Sequence, residues 1–78
     1  MAAMDREKRA IRRLGKNIAK RRSELRLRQQ DLAERIDADP STVSKMERGE
    51  MPPSVVWLIR LAVGLETTVS DLVRDIER

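Results

Sequence analysis

Apolar residues recur along this chain at helical spacing, in blocks separated by polar or turn-forming residues. Ile11, Leu14, Ile18 and Leu25 share one face, with Gly15, Ala19 and Arg22 filling the same side. The remaining positions are crowded with Arg6, Lys8, Arg9, Arg12, Arg13, Lys16, Lys20 and Arg21. This pattern predicts a first helix with an apolar stripe and a basic back, ending near Leu25 to Arg26. Met1 to Met4 read as a loose terminus, with Asp5 as a cap for the helix. Leu32, Ala33 and Ile36 define a short second helix from Gln29 to Ile36, which Asp37-Ala38 interrupts. Asp39-Pro40 opens a third helix, with aspartate at the N-cap and proline at the first position, where its missing N–H costs nothing. That helix runs to about Arg48, with Val43 and Met46 inward, and Gly49 supplies a left-handed stop. Two prolines make Glu50-Met51-Pro52-Pro53 a rigid connector. A fourth helix spans about Ser54 to Leu65, with Val55, Leu58, Leu61, Ala62 and Leu65 inward. Thr68, followed three residues later by Asp71, marks a capping box that opens a fifth helix, with Val69, Leu72, Val73 and Ile76 as its apolar side.

Composition narrows the class to all-α. The 78 residues fit one domain: residues 1–10 form a basic N-terminal extension or the start of helix one, and residues 11–78 a single domain. Hydrophobic residues make up 40 %, nearly all aliphatic, with Trp57 the sole aromatic. Six glycines and prolines are too few for a many-turned β domain of this length. Cysteine and histidine are absent, so disulfides and the usual zinc ligands are excluded, and no metal or cofactor is expected. Residues 1–10 lack the apolar run of a signal peptide, and no segment approaches the ~18 apolar residues of a membrane span. A cytoplasmic location away from the membrane is the expectation.

The charge is unevenly placed. Residues 1–35 hold twelve Lys or Arg against five Asp or Glu, whereas residues 36–78 hold five against eight. A basic half joined to a mildly acidic one suggests a side that faces a polyanion and another for different contacts. A solvated helix kept soluble by its arginines explains the same distribution equally well.

The stretch from Gln29 to Arg48 is the most informative. Two short helices joined by three or four residues cross steeply, and a close crossing needs a small side chain, which Ala33 supplies. Leu32, Ile36, Ala38, Val43 and Met46 form a shared apolar wedge. Ser41, Thr42, Ser44 and Lys45 are left pointing outward.

Gln29-x-x-Leu32-Ala33-x-x-Ile36, then Ser41-Thr42-Val43-Ser44, then Met46-Glu47-Arg48-Gly49, resembles the Cro/C1-type helix-turn-helix, also called the XRE family. Leu14-Gly15-x-x-Ile18 and Arg22 upstream also fit, as do Pro53, Leu58-x-x-Leu61-Ala62, Leu65 and Asp71-Leu72 downstream. The resemblance covers about Leu14 to Val73. It implies a compact five-helix, lambda-repressor-like domain that binds double-stranded operator DNA as a homodimer. Such a protein regulates transcription, with repression the expected outcome and helix 40–48 in the major groove. Carried over residue by residue, Ser41, Ser44 and Lys45 read bases, and Thr42 reaches a base or a phosphate. Gln29 holds a backbone phosphate. Arg22 and Glu47 match an ion pair bracing helix one to helix three, with a phosphate contact open to Arg22. Arg28 and Arg48 flank the unit as phosphate clamps or as simple surface charge. The chain departs from the family pattern at Arg28, where a Ser or Thr N-cap is usual, and at Arg26, Asp37 and Glu66, where glycine commonly ends a helix. Pro40 replaces what is often a polar residue, which removes one candidate reader.

Val56, Trp57, Ile59 and Val63 cannot all point inward together with Leu58, Leu61 and Ala62. With Val69 and Val73 they mark a candidate two-fold dimer interface. The alternative for Trp57 is that it covers the core of its own subunit. Three rivals share the fold: an antitoxin with a cognate toxin as a further partner, a restriction-modification controller, and an adaptor that no longer reads DNA. Catalysis is not expected. Ser41 and Lys45 lie four apart, as in a Ser–Lys pair, but that lysine would need desolvation to act as a base.

Overall fold

The computed structural model describes residues 2–78, and among them every regular element is a helix. Helix α1 spans Ala2–Glu24, α2 Gln29–Arg35, α3 Pro40–Glu47, α4 Val55–Gly64 and α5 Val69–Leu72. The all-α, five-helix architecture expected from the spacing is present.

Helix α1 corrects the first expectation. It begins at Ala2, so Met4 and Asp5 lie inside it and Asp5 caps nothing; Met1 lies outside the described residues. Ala2, Ala3, Met4, Glu7, Lys8, Arg9 and Ala10 are mostly strong helix formers, and Asp5 in the first turn complements the helix dipole. Local propensity therefore carries the helix about two turns beyond the core, through residues 3–9, which are all exposed. At 1.5 Å per residue α1 is about 35 Å long, close to the 37 Å long axis of the molecule.

The core gathers one or more residues from every helix: Leu14 and Ile18, Leu32, Ala33 and Ile36, Val43 and Met46, Leu61, Ala62 and Leu65, and Leu72. α1 crosses α3 so closely that a β-carbon on Gly15 would sit 2.7 Å from the Met46 carbonyl oxygen and closer still to that of Glu47. Only glycine allows this approach. Val55 was expected inward but is 70 % exposed. It is the first residue of α4, whose buried residues, Leu61, Ala62 and Gly64, lie toward its C-terminal end.

The helix ends follow the sequence, with exceptions. Arg26, Asp37 and Glu66 all take positive φ, at 58°, 56° and 54°, the left-handed conformation that glycine adopts more cheaply. Each completes a Schellman-type closure: Leu27 N–H donates to Arg22 O at 3.1 Å, Ala38 N–H to Ala33 O at 2.9 Å and Thr67 N–H to Ala62 O at 2.9 Å. Asp39 occupies the α3 N-cap before Pro40, yet its side chain makes no capping hydrogen bond. The Thr68 hydroxyl accepts from Asp71 N–H at 3.0 Å, while the Asp71 carboxylate turns to Thr67 and Arg74 instead of closing the reciprocal half of the box. α5 is shorter than expected: Val73 and Ile76 lie beyond its end but still pack against the core.

Part of the basic surface of α1 has a structural use. Arg21 donates to the carbonyls of Leu65 and Glu66, both at 2.9 Å, and Asn17 to those of Leu72 and Arg74 at 2.8 and 2.9 Å. Arg35 of α2 reaches Gly64 O at 2.9 Å. These carbonyls end helices or their closing turns, where no partner exists within the helix. Side chains of α1 and α2 thus fasten α4 and α5.

Candidate nucleic-acid interface

α2 and α3 place the candidate side chains by the wedge beneath them. Val43 and Met46 are sunk in the core, which leaves Ser41, Ser44, Lys45 and Arg48 at helical spacing along the opposite side of α3 and its end. Ser41 and Lys45 are exposed, and Thr42 and Ser44 are half-buried. Among the described residues the exposed Lys45 forms no ion pair.

Behind this face lies a network around Glu47. Its carboxylate accepts from Arg22 Nε at 2.6 Å, from Arg22 Nη2 at 2.9 Å and from Gln29 Nε2 at 3.0 Å. Arg22 Nη1 also donates to Leu27 O at 2.8 Å. The Glu47 side chain is only 7 % exposed and that of Arg22 17 %, and the hydrogen bond that Arg22 donates to Glu47 raises the Arg22 pKa above its ordinary value. Helices α1, α2 and α3 are thereby tied at one point. Arg22 sits in the brace with Glu47 as the resemblance implied, and its guanidinium faces inward. Gln29, expected to reach a phosphate, donates one amide N–H to Glu47, which ties the first residue of α2 to the C-terminal end of α3.

The two flanking arginines are each held by a carboxylate that the sequence reading did not single out. Arg28, at the N-cap of α2, donates its backbone N–H to Asp31 at 2.8 Å, and its guanidinium spans both Asp31 oxygens at 3.1 and 3.0 Å. Asp31 thus supplies the reach-back half of a capping box that Arg28, lacking an acceptor, cannot complete. The guanidinium and then the backbone N–H hold the Asp31 carboxyl down to about 2. Arg48 Nε lies 2.6 Å from Glu50 Oε2, with Nη2 3.3 Å from Oε1, and Nη1 donates to the Ser44 hydroxyl. The pairings at i,i+3 and i,i+2 were legible as spacings, but their closure depended on turn geometry.

The candidate dimer residues divide. Val56 and Val63 are 60 % and 74 % exposed, and Val55 and Ile59 join them on the outer side of α4. Trp57 packs against the core, with the Arg60 guanidinium 5.2 Å from its ring centre. Val69 and Val73 are half-buried against the same core.

This arrangement has counterparts. Residues 13–75 match the helix-turn-helix domain family. The control protein C.MunI of a Mycoplasma species is 37 % identical over 67 residues, which cover 85 % of this chain and 90 % of that protein. The crystal structure of the restriction-modification controller C.AhdI from Aeromonas hydrophila superposes with a TM-score of 0.77 at 29 % identity, over 80 % of this chain and 94 % of that one. The clp gene regulator ClgR from Corynebacterium glutamicum superposes with a TM-score of 0.81 at 24 % identity, over 86 % and 87 % of the two chains, a likeness of fold.

Proposed function

The chain belongs to the helix-turn-helix domain family, and from that premise we propose that it is a homodimeric, sequence-specific regulator that seats α3 in the major groove of its operator. The observation that carries this reading is the outward strip of α3: two hydroxyls, an unpaired ammonium and a guanidinium at one helical spacing, with the opposite side sunk in the core. Lys45 is assigned to guanine O6 and N7, and Ser41 and Ser44 to neighbouring base edges. Thr42 stands at the margin, toward a base or a phosphate. Arg28, Gln29 and Arg48 are assigned to the phosphate backbone. Arg22 holds Glu47, and its remaining N–H groups are the only part of it assigned to a phosphate.

The second copy docks on the exposed aliphatic side of α4, Val55, Val56, Ile59 and Val63. A contiguous apolar patch on so charged a chain marks a contact surface. The single charged residue of α4, Arg60, is turned over Trp57, so the patch carries no charge to repel an identical one. Two-fold pairing sets two α3 helices about 34 Å apart, one turn of DNA.

Among regulators, a restriction-modification controller is the favoured role, because C.MunI and C.AhdI align along nearly their full lengths. In that role the protein represses or activates by occupying an operator near a restriction gene. No catalytic role is assigned to Ser41 and Lys45.

Selection of bound duplexes from a random pool, followed by a salt titration on the winner, tests this reading. A palindromic consensus is expected, with log affinity falling by roughly 0.9 per phosphate neutralised for each unit of log salt. Absence of saturable binding to any duplex at low salt overturns it in favour of an adaptor.

A further inference from the structure

The turn that follows α3 contains an acid where a polyanion is to be held. Gly49, at φ 75°, turns the chain back, and Glu50 N–H donates to Lys45 O at 2.9 Å, which fixes Glu50 beside the end of the helix. Its carboxylate then grips Arg48 at 2.6 and 3.3 Å, while Arg48 also donates to Ser44. Two of the assigned DNA contacts are therefore engaged with each other and with an anion of this chain. We propose that Glu50 limits DNA affinity: its carboxylate occupies Arg48 in the free protein, and binding exchanges that carboxylate for a phosphate.

The inference rests on the DNA-binding reading above and adds a residue to it. The Arg48 hydrogen bond, and secondarily the charges of Arg48 and Lys45, hold the Glu50 carboxyl below its ordinary range, which favours its ionised form. A fixed negative charge on this face subtracts from the phosphate attraction that supplies sequence-independent binding. Both side chains are more than half exposed, so the pair is held weakly enough to open. The brake acts on every duplex alike, because it meets a phosphate and no base.

The test compares wild type, Glu50→Gln, Arg48→Ala and the double variant on the selected duplex and on an unselected one, across a salt series. Glu50→Gln keeps the backbone bond to Lys45 O and the shape of the side chain, and unchanged helical circular dichroism checks its fold. It should bind both duplexes about two- to fivefold more tightly, with a salt slope steeper by about 0.9. In the Arg48→Ala background most of that gain should vanish. The proposal fails if Glu50→Gln leaves affinity and slope unchanged, weakens binding, or alters only the selected duplex. It also fails if the full gain persists without Arg48. Failure of the wild type to bind any duplex would instead sink the DNA-binding reading itself.

Discussion

Arg22 and Glu47, twenty-five positions apart, face each other through two parallel hydrogen bonds of 2.6 and 2.9 Å in a site shut off from most solvent. Removing either partner leaves the other charge largely buried and unpaired. Glu47→Ala should therefore destabilise the protein by about 2–4 kcal/mol, toward the lower part of the range for buried pairs because Arg22 keeps Leu27 O. Urea unfolding followed by circular dichroism measures it; a loss under about 1 kcal/mol would show that the brace is ornamental.

Lys45→Ala and Gln29→Ala separate readers from clamps. The first should cost about 1–3 kcal/mol on the selected duplex and relax preference at one base position. The second should weaken all duplexes similarly. Identical sequence profiles for the two variants would refute the division.

Arg26 offers a gain in stability. It is exposed at φ 58°, a conformation that strains a side-chain-bearing residue by roughly 1–2 kcal/mol. Glycine relieves the strain but enlarges the unfolded ensemble by about 0.4–1 kcal/mol. Arg26→Gly should thus stabilise by up to about 1.6 kcal/mol, seen as a higher melting temperature. A lower one would mean that the Arg26 side chain contributes to the fold.

The outer side of α4 is tested by Val63→Lys, a charge placed at the C-terminal end of the patch at a position 74 % exposed in the protomer. The expected result is a folded monomer by analytical ultracentrifugation, with much weaker binding to a palindromic duplex. Retention of the dimer would move the interface elsewhere.

Asp31 makes stability depend on pH. Its folded pKa, about 2, lies below the ordinary 3.8, so the stabilisation from Arg28 is complete above about pH 4 and is lost as pH falls toward 2. Thermal melts of wild type and Asp31→Asn should therefore differ at pH 6 and converge near pH 2. A constant difference across that range would place the effect in something other than the ionised carboxylate.

The left-handed residues Arg26, Asp37 and Glu66 were marked in the sequence by their departure from glycine, because a helix must end where the apolar period breaks whatever residue stands there. Val55 was misread because it fits the helical period with Ala62, and period alone does not say where along a helix the core stops. The start of α1 at Ala2 was missed, where Met1 to Met4 read as a loose terminus, because residues 3–9 are exposed and no apolar stripe announces a helix that propensity supports. The carboxylates on Arg28 and Arg48 were missed for a different reason: an acid two or three residues away is common, and only the bend of the backbone brings it to bear.

The order of apolar and polar residues by itself settled the five helices, the wedge of α2 and α3 and the outward strip from Ser41 to Lys45, since burial of aliphatic faces leaves little choice in a chain this short. Folding in three dimensions decided which cations are free. It committed Arg21, Arg22 and Arg35 to carbonyls and carboxylates, bound Arg28 and Arg48 to acids and left Lys45 unpaired. Charge in a sequence can be counted, but whether it is available to a ligand depends on which opposite charge lies within a few ångströms.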